Sequence, residues 1–432
     1  MITERKNCRG CGQELPISSI ISLGDLAIVD FVKPGEESRG RAPLDLVLCD
    51  TCQLVQLRHS VDQDTLYRTF WYRSGINEQM RLALKEVVDQ SIRRVQLEPG
   101  DWVCDIGSND GTLLGFFDES LCRVGFEPSR KLGVESTEKF KIQVVHDYFN
   151  ARDALRLSSD KRYKVVTAIA MFYDLENPVE FLKDVNEIMA DDGLFVIQMN
   201  YLPVMMRNLT YDNISHEHLC YYSLASLLPL LELARLKLVD AEINDVNGGS
   251  IRIYISKQAV GMSREVYSMI TAEIGFLKPS SYTTFADRIR EQVAQLRWFL
   301  YNLKRLGKKI YAYGASTRGS ILLQMTMEGQ TSLGVLLGVA DRDPNKWGRE
   351  MAGLYLPIIP ESIARQHADY FLLLPYHFWQ SISKREWNWM KSGGRFIIPI
   401  PYPRVVGLED VGAEHPILSA VDLQKELETL SV

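Results

Sequence analysis

Residues 212–223 read DNISHEHLCYYS, a stretch that brings two histidines, a glutamate and two tyrosines together. Histidine, with an unperturbed pKa of about 6.5, is the usual side chain for taking a proton at neutral pH. If the run is extended, His216 and His218 share a face and Glu217 points away; if it is helical, they diverge. Metal ligation is the competing reading, but the H-E-x-x-H spacing is absent. Tyr221 and Tyr222 suit a packed core as well as a substrate contact. A second set of reactive residues lies near the start, in CRGC (Cys8, Cys11) and CDTC (Cys49, Cys52). Two C-x-x-C knuckles bring four thiolates into a tetrahedron, the closed coordination of structural zinc. Four thiolates leave no open position, so this metal serves folding rather than chemistry.

The third set is the turn DIGSNDG, with Asp105, Gly107, Asp110 and Gly111. A dinucleotide fingerprint would read G-x-G-x-x-G to admit a pyrophosphate, and this turn does not. Acidic residues beside the glycines suit a ligand that carries positive charge and no phosphate. S-adenosylmethionine, with an ammonium and a sulfonium, is such a ligand. Gly107 would let the backbone approach it, and Asp105 or Asp110 would meet the ammonium. Glu127 in GFEPS ends the next strand, where related folds place an acid on ribose hydroxyls. Asp147 and Tyr148 in HDYF would then contact adenine. Near the other end, YGASTRG places Gly314, Ser316, Thr317, Arg318 and Gly319 where a helix N-terminus could hold a phosphate. Asp341, ending the following strand, suits a sugar hydroxyl. A nucleotide fold kept only for packing is the alternative there.

These groups need rigid elements to carry them. Trp102–Ile106 reads as a buried strand, SNDG as a tight turn and TLLGFF as the opening of a helix. RVGFEPS, YKVVTAIAMF, GLFVIQMN and SIRIYIS read as further strands, the last alternating so that Ile251, Ile253 and Ile255 share one face. Strands spaced by helical segments predict a mostly parallel, doubly wound α/β sheet. From Thr284 to about Gly307 an amphipathic stripe of Phe285, Ile289, Val293, Leu296, Leu300 and Leu303 predicts a long helix, with Thr284 and Asp287 capping its start. A second strand–loop–helix unit follows it. The expected organisation is a small N-terminal zinc-binding module (1–70), a central Rossmann-like α/β domain (71–283), and a linker helix with a C-terminal Rossmann-like α/β domain (284–432).

Composition narrows the field. A chain of 432 residues exceeds one core, and 46% hydrophobic with 24% charged residues is ordinary for a globular protein. A net charge of −6 offers no footprint for nucleic acid. No apolar run approaches the roughly 20 residues that span a bilayer. The charged N-terminus, MITERKNCRGCG, is unlike a secretory signal. The expectation is a cytoplasmic protein with no nucleic-acid or membrane partner.

Together, the paired knuckles, FWYRSGIN, DIGSNDG, GFEPS, HEHLCYYS, NGGSIRIYI, YGASTRG and ADRDPNKWGREMAGLYLPI resemble the S-adenosylmethionine-dependent sugar C-methyltransferases. That family methylates carbon 3 of 4-keto deoxysugars linked to a nucleotide, and the resemblance covers nearly the whole chain. The resemblance implies that the central Rossmann-like domain is a class I methyltransferase domain and the C-terminal one a substrate-binding domain. It implies substrate bound between the larger lobes and a general base at the second histidine of the HEH run, His218. It also implies functional roles for Glu217, Tyr72 and the NGGS loop, Asn247 to Ser250, followed by Arg252. His216 or Tyr222 would stabilise the enolate, and the carrier would be thymidine or guanosine diphosphate (dTDP or GDP). The chain departs from characterised members at Ser215, at Tyr173 and Asp174, and at Asn247, all around the sugar. Methylation of another carbon or oxygen, and a non-catalytic sugar-nucleotide-binding module, are the rival readings.

Overall fold

The computed structural model describes residues 2–67, 73–258, 261–327 and 334–412. The run Trp102–Ile106 forms an interior strand of a seven-stranded sheet. Across that sheet the order is Lys237–Asn244, Ser250–Ser256, Met189–Asn200, Tyr163–Ile169, Trp102–Ile106, Cys122–Phe126 and Gln143–Val145. The strands from Met189–Asn200 to Gln143–Val145 run parallel. Ser250–Ser256 is antiparallel to both its neighbours. Chain order reverses between Trp102–Ile106 and Tyr163–Ile169, which opens a crevice at the carboxyl ends of the strands, the usual ligand site of such sheets.

Three local expectations change. TLLGFF does not open an α-helix but makes one 3₁₀ turn, Leu114–Phe116. The backbone at Gly115 lies against Phe140, where an added Cβ would come within 2.5 Å of the ring. Phe117 then leaves in an extended conformation. The long helix spans Pro279–Arg305, so Thr284 and Asp287 lie inside it; Pro279 occupies its first turn, where the missing N–H costs nothing. Its apolar stripe is buried as expected. The alternating strand Ser250–Ser256 is buried on both faces, because helix Glu78–Arg94 covers the second one: Arg94 lies 3.7 Å over the Tyr254 ring.

The C-terminal lobe is built on an eight-stranded sheet centred on Ile310–Tyr313 and Val339–Asp341. Its edge strand, Phe31–Val32, belongs to the N-terminal module and pairs with Glu350–Met351. The module's own sheet holds Ile21–Ala27, Arg41–Leu48 and Val55–Leu57, and its outer strand is Cys220–Tyr221 from the HEHLCYY run. One buried apolar cluster accordingly runs through all three regions, from Cys8 through Phe195 to Ile398. No helix among the described residues is long and apolar enough to cross a membrane.

Candidate active site

The four knuckle cysteines converge. Their sulfurs lie within 4.8 Å of one another, with Cys8–Cys52 and Cys11–Cys49 each at 3.5 Å. A tetrahedron of thiolates about zinc, with Zn–S near 2.3 Å, has edges of roughly 3.8 Å, so the donor set fits that ion. Gly10 N and Gln56 Nε2 donate to Cys8 Sγ at 3.3 and 3.0 Å, the polar second layer that fixes a ligating thiolate. This site is closed and sits away from the crevice.

The crevice is a cavity of about 560 Å³ between the central and C-terminal lobes. Its floor is the turn after Trp102–Ile106. Gly107 (φ +72°) turns the chain so that Gly107 N and Ser108 N both donate to Phe126 O. Asp105, Gly107, Glu127, Asp147 and Tyr148 all line the cavity. Asp105 accepts from Thr167 Oγ1 at 2.6 Å. Glu127 uses one oxygen on Asn109 N (2.9 Å) and the other on Ser129 N (2.7 Å), so both are fixed while each keeps a lone pair for a further donor. Burial pushes the Asp105 carboxyl up to about 7 against its Thr167 bond, and Glu127 adds to the rise. Burial also raises Glu127, against its two backbone bonds. Two desolvated acids at a glycine turn favour a cationic ligand with hydroxyls, which is the chemistry of S-adenosylmethionine.

On the opposite wall stands His218. The HEH run is neither strand nor helix: His218 N closes a turn on Ser215 O at 3.1 Å, so the two histidines diverge. His218 Nδ1 lies 2.6 Å from the Asn213 carbonyl. A carbonyl only accepts, so Nδ1 carries the hydrogen and Nε2 carries the lone pair. Nothing among the described residues hydrogen-bonds Nε2. Burial pushes the imidazole down to about 4, despite the Asn213 bond, and the charge of Arg318 adds to the fall. The ring is therefore neutral at physiological pH and is braced edge-on by Tyr173, with centroids 4.4 Å apart. Glu217 shares the wall; burial pushes it up to about 7, opposed by Arg39 and Thr317.

Several expected residues are directed elsewhere. His216 turns to the N-terminal module, with Nε2 2.9 Å from Ala42 O, and the Tyr222 ring packs on Phe172 at 5.1 Å; neither lines the cavity. Arg252 is held in the sheet by Gln198 (2.9 Å) and Glu242 (2.9 Å), and Ser250 Oγ donates to Val246 O. Asp110 accepts from Gly75 N and Thr112, which fixes the turn from outside, and Gly111 packs against Ser136. Asp341 accepts from Ala315 N and Asp343 N and so stitches the YGASTRG loop. Ser316, Arg318 and Asn247 do line the cavity. The Arg318 guanidinium, however, is committed to Asp212 (2.9 and 3.0 Å), to Tyr376 Oη (2.8 Å) and to the Asn247 carbonyl. Tyr72 lies outside the described residues.

Sequence reasoning passed over Asp212 and Asn213, although both lie within four residues before the HEH run. It also passed over Tyr376, His377 and Phe378, of which the last two line the cavity. The signal available was their position: PYHF follows a buried strand, Tyr370–Leu373, at its carboxyl end.

Three family models match the chain in succession. They are "Putative zinc binding domain" over residues 8–67, "Methyltransferase domain" over 76–241 and "C-methyltransferase C-terminal domain" over 245–401. Over 412 residues the chain is 31% identical to C-methyltransferase NovU of Streptomyces niveus, covering 93% of this chain and 97% of the relative. Solved structures overlap a smaller part. An S-adenosylmethionine-dependent methyltransferase from Clostridium acetobutylicum ATCC 824 is 10% identical (TM-score 0.32), covering 41% of this chain and 91% of its own. N-methyltransferase NodS from Bradyrhizobium japonicum WM9 is 12% identical (TM-score 0.32), covering 42% and 97%.

Proposed function

The chain belongs to the S-adenosylmethionine-dependent C-methyltransferases, and from that premise we propose that it methylates carbon 3 of a nucleotide-linked 4-keto-6-deoxysugar through an enolate formed by His218. The observation that carries this reading is the tautomer of His218. Its Nδ1–H is spent on Asn213, which leaves Nε2 as a base on the wall facing the cofactor turn. A carbon nucleophile must lose a proton before it can attack, and a carbon beside a ketone is the kind a histidine can deprotonate. S-adenosylmethionine, when bound, supplies the electrophilic methyl. The residues of the chain do the rest. Asp105 and Glu127 hold the cofactor's ammonium and ribose, while Asn247, Ser316 and Thr317 bound the sugar side. Holding both reactants in one cavity contributes roughly 7–11 kcal/mol by analogy with oriented intramolecular reactions. General-base assistance adds about 10²–10⁴-fold.

Thymidine and guanosine diphosphate remain the carriers to test. Purified enzyme is incubated in heavy water with thymidine- and guanosine-linked 4-keto-6-deoxysugars, with and without S-adenosylmethionine, and read by proton NMR and mass spectrometry. The expected result is deuterium at carbon 3 without the cofactor and a methyl group there with it. Methylation of an oxygen, or exchange at another carbon, would overturn the carbon-3 assignment.

A further inference from the structure

Asp174 has no role in the scheme above, yet it lines the same cavity as His218. The 3₁₀ turn Phe172–Asp174 is tied to the HEH loop: Leu219 N donates to Tyr173 O at 2.9 Å, and the Tyr173 ring braces His218. Within this wall Asp174 Oδ1 is buried without a hydrogen-bond partner among the described residues. Its titratable neighbours are Glu217 from the HEH loop, Tyr67 from the N-terminal module, Tyr173 beside it and Tyr221. Among the described residues no cation appears with them. A hydrogen bond from Tyr67 favours the Asp174 anion, against burial and Glu217. Glu217 differs in facing a cation, Arg39, as well as the Thr317 hydroxyl, and both favour its anion. Two carboxyls that interact in a desolvated wall do not both ionise, and the one facing no cation keeps its proton.

We propose that Asp174 acts as a neutral carboxylic acid that donates its hydrogen to the substrate carbonyl oxygen while His218 takes the carbon proton. The burial that raises Asp174 well above the usual carboxylate range, with Glu217 adding to the rise, supports this assignment. The step balances. His218 Nε2 receives the proton from carbon 3, and the electrons of that C–H bond become the carbon 3–carbon 4 double bond. The carbonyl π electrons move to oxygen, which takes the hydrogen from Asp174, leaving an enol, an imidazolium and a carboxylate. On methyl transfer the enol electrons form the new carbon–carbon bond, the sulfur keeps the pair from the broken S–CH₃ bond, and Asp174 regains its hydrogen. An acid of this kind explains how a base held down to about 4 can enolise a ketone: the negative charge never develops fully on oxygen.

This inference rests on the proposed reaction, so the test reads exchange at carbon 3 alone. The parent, Asp174→Ala and Asp174→Asn are compared in heavy water without methyl donor, and S-adenosylmethionine affinity is measured on each as a check of fold. Asp174→Ala should lose about 10²–10³-fold in exchange, the scale of one oxyanion donor. Asp174→Asn keeps a neutral N–H donor and should recover most of that loss. Parent exchange should also fall at alkaline pH as Asp174 ionises, while the asparagine variant stays flat over the same range. Unchanged exchange in Asp174→Ala, or asparagine as poor as alanine with cofactor affinity intact, overturns the proposal. A parent that exchanges no sugar overturns the carbon-3 reaction itself.

Discussion

The ion pair between Asp212 and Arg318 joins the loop that carries His218, the proposed base, to the C-terminal lobe. The Asp212 side chain is 1% exposed and that of Arg318 13%, so both charges are largely shielded from water. Removing one partner from such a pair leaves a buried charge unpaired, at a cost of about 3–5 kcal/mol. Arg318→Met and Asp212→Asn should each lose on that order, because each also removes or weakens one of the bonds of the Tyr376 hydroxyl, which Arg318 donates to at 2.8 Å and which donates to Asp212 at 2.9 Å. The double variant removes both charges at once and should cost far less than the sum, with a coupling of at least about 2 kcal/mol. Urea unfolding of the full chain, followed by tryptophan fluorescence, measures this. The C-terminal lobe carries Trp379 and Trp389 in its core and reports its own separation from the central lobe. The same variants should slow carbon-3 exchange, since Asp212 precedes the residue whose carbonyl holds His218. Single losses under about 1 kcal/mol that add in the double variant would show the pair to be incidental.

His218→Ala should abolish turnover and exchange while leaving cofactor affinity within experimental error; full activity would remove it from the base role. Burial pushes Asp105 up to about 7, so this carboxyl holds a proton below that pH in the free enzyme, and burial raises Glu127 as well. A cationic cofactor binds the ionised acids and must displace that proton. Its Kd should therefore rise as pH falls below about 7, by up to tenfold per unit, with proton release visible by calorimetry in two buffers. A Kd flat between about pH 5.5 and about pH 8 would refute the pairing of cofactor with Asp105. Gly111 sits at φ +75°, and a Cβ there would lie 2.0 Å from Ser136 Oγ. Gly111→Ala should destabilise the central lobe by at least about 1–3 kcal/mol, measured by thermal melting.

Much of the central lobe was legible because burial on both faces writes a strand as a short continuous apolar run, as in Trp102–Ile106 and Tyr163–Ile169. The cysteine knuckles were legible for a different reason: their ligands are local in sequence. What could not be read is set by contacts far apart in the chain. Asp212 and Arg318 lie 106 positions apart, and no periodicity marks either as half of a pair. Arg318 alone resembled a phosphate ligand. The two-residue strand Phe31–Val32 is too short to leave a pattern, yet it ties the first module to the last sheet. The histidines illustrate a local limit. The sequence left His216 and His218 on one face if the run was extended and diverging if it was helical; the turn closed by His218 N on Ser215 O, which is neither, sends them apart. Arg252 failed because its strand has no solvent face: a charge that alternation points outward is neutralised by Glu242 and Glu86 instead.

The zinc module therefore has a mechanical reason to be part of this chain. Val55–Leu57 follows directly on the Cys49–Cys52 knuckle and pairs with Cys220–Tyr221, and Leu57 N donates to Leu219 O at 2.8 Å. Tyr67 Oη donates to the Glu217 carbonyl at 2.9 Å, and His216 reaches Ala42 O. The loop that presents the proposed base, His218, is thus held on one side by the sheet of the zinc-binding module and on the other by Arg318. The free energy of zinc binding in so small a module is largely folding free energy, so its loss should pass to the loop before it reaches the cofactor turn. Cys52→Ser is expected to lower zinc content and carbon-3 exchange together, with S-adenosylmethionine affinity retained. Equal loss of both functions would mean that the module supports the whole fold rather than the base loop.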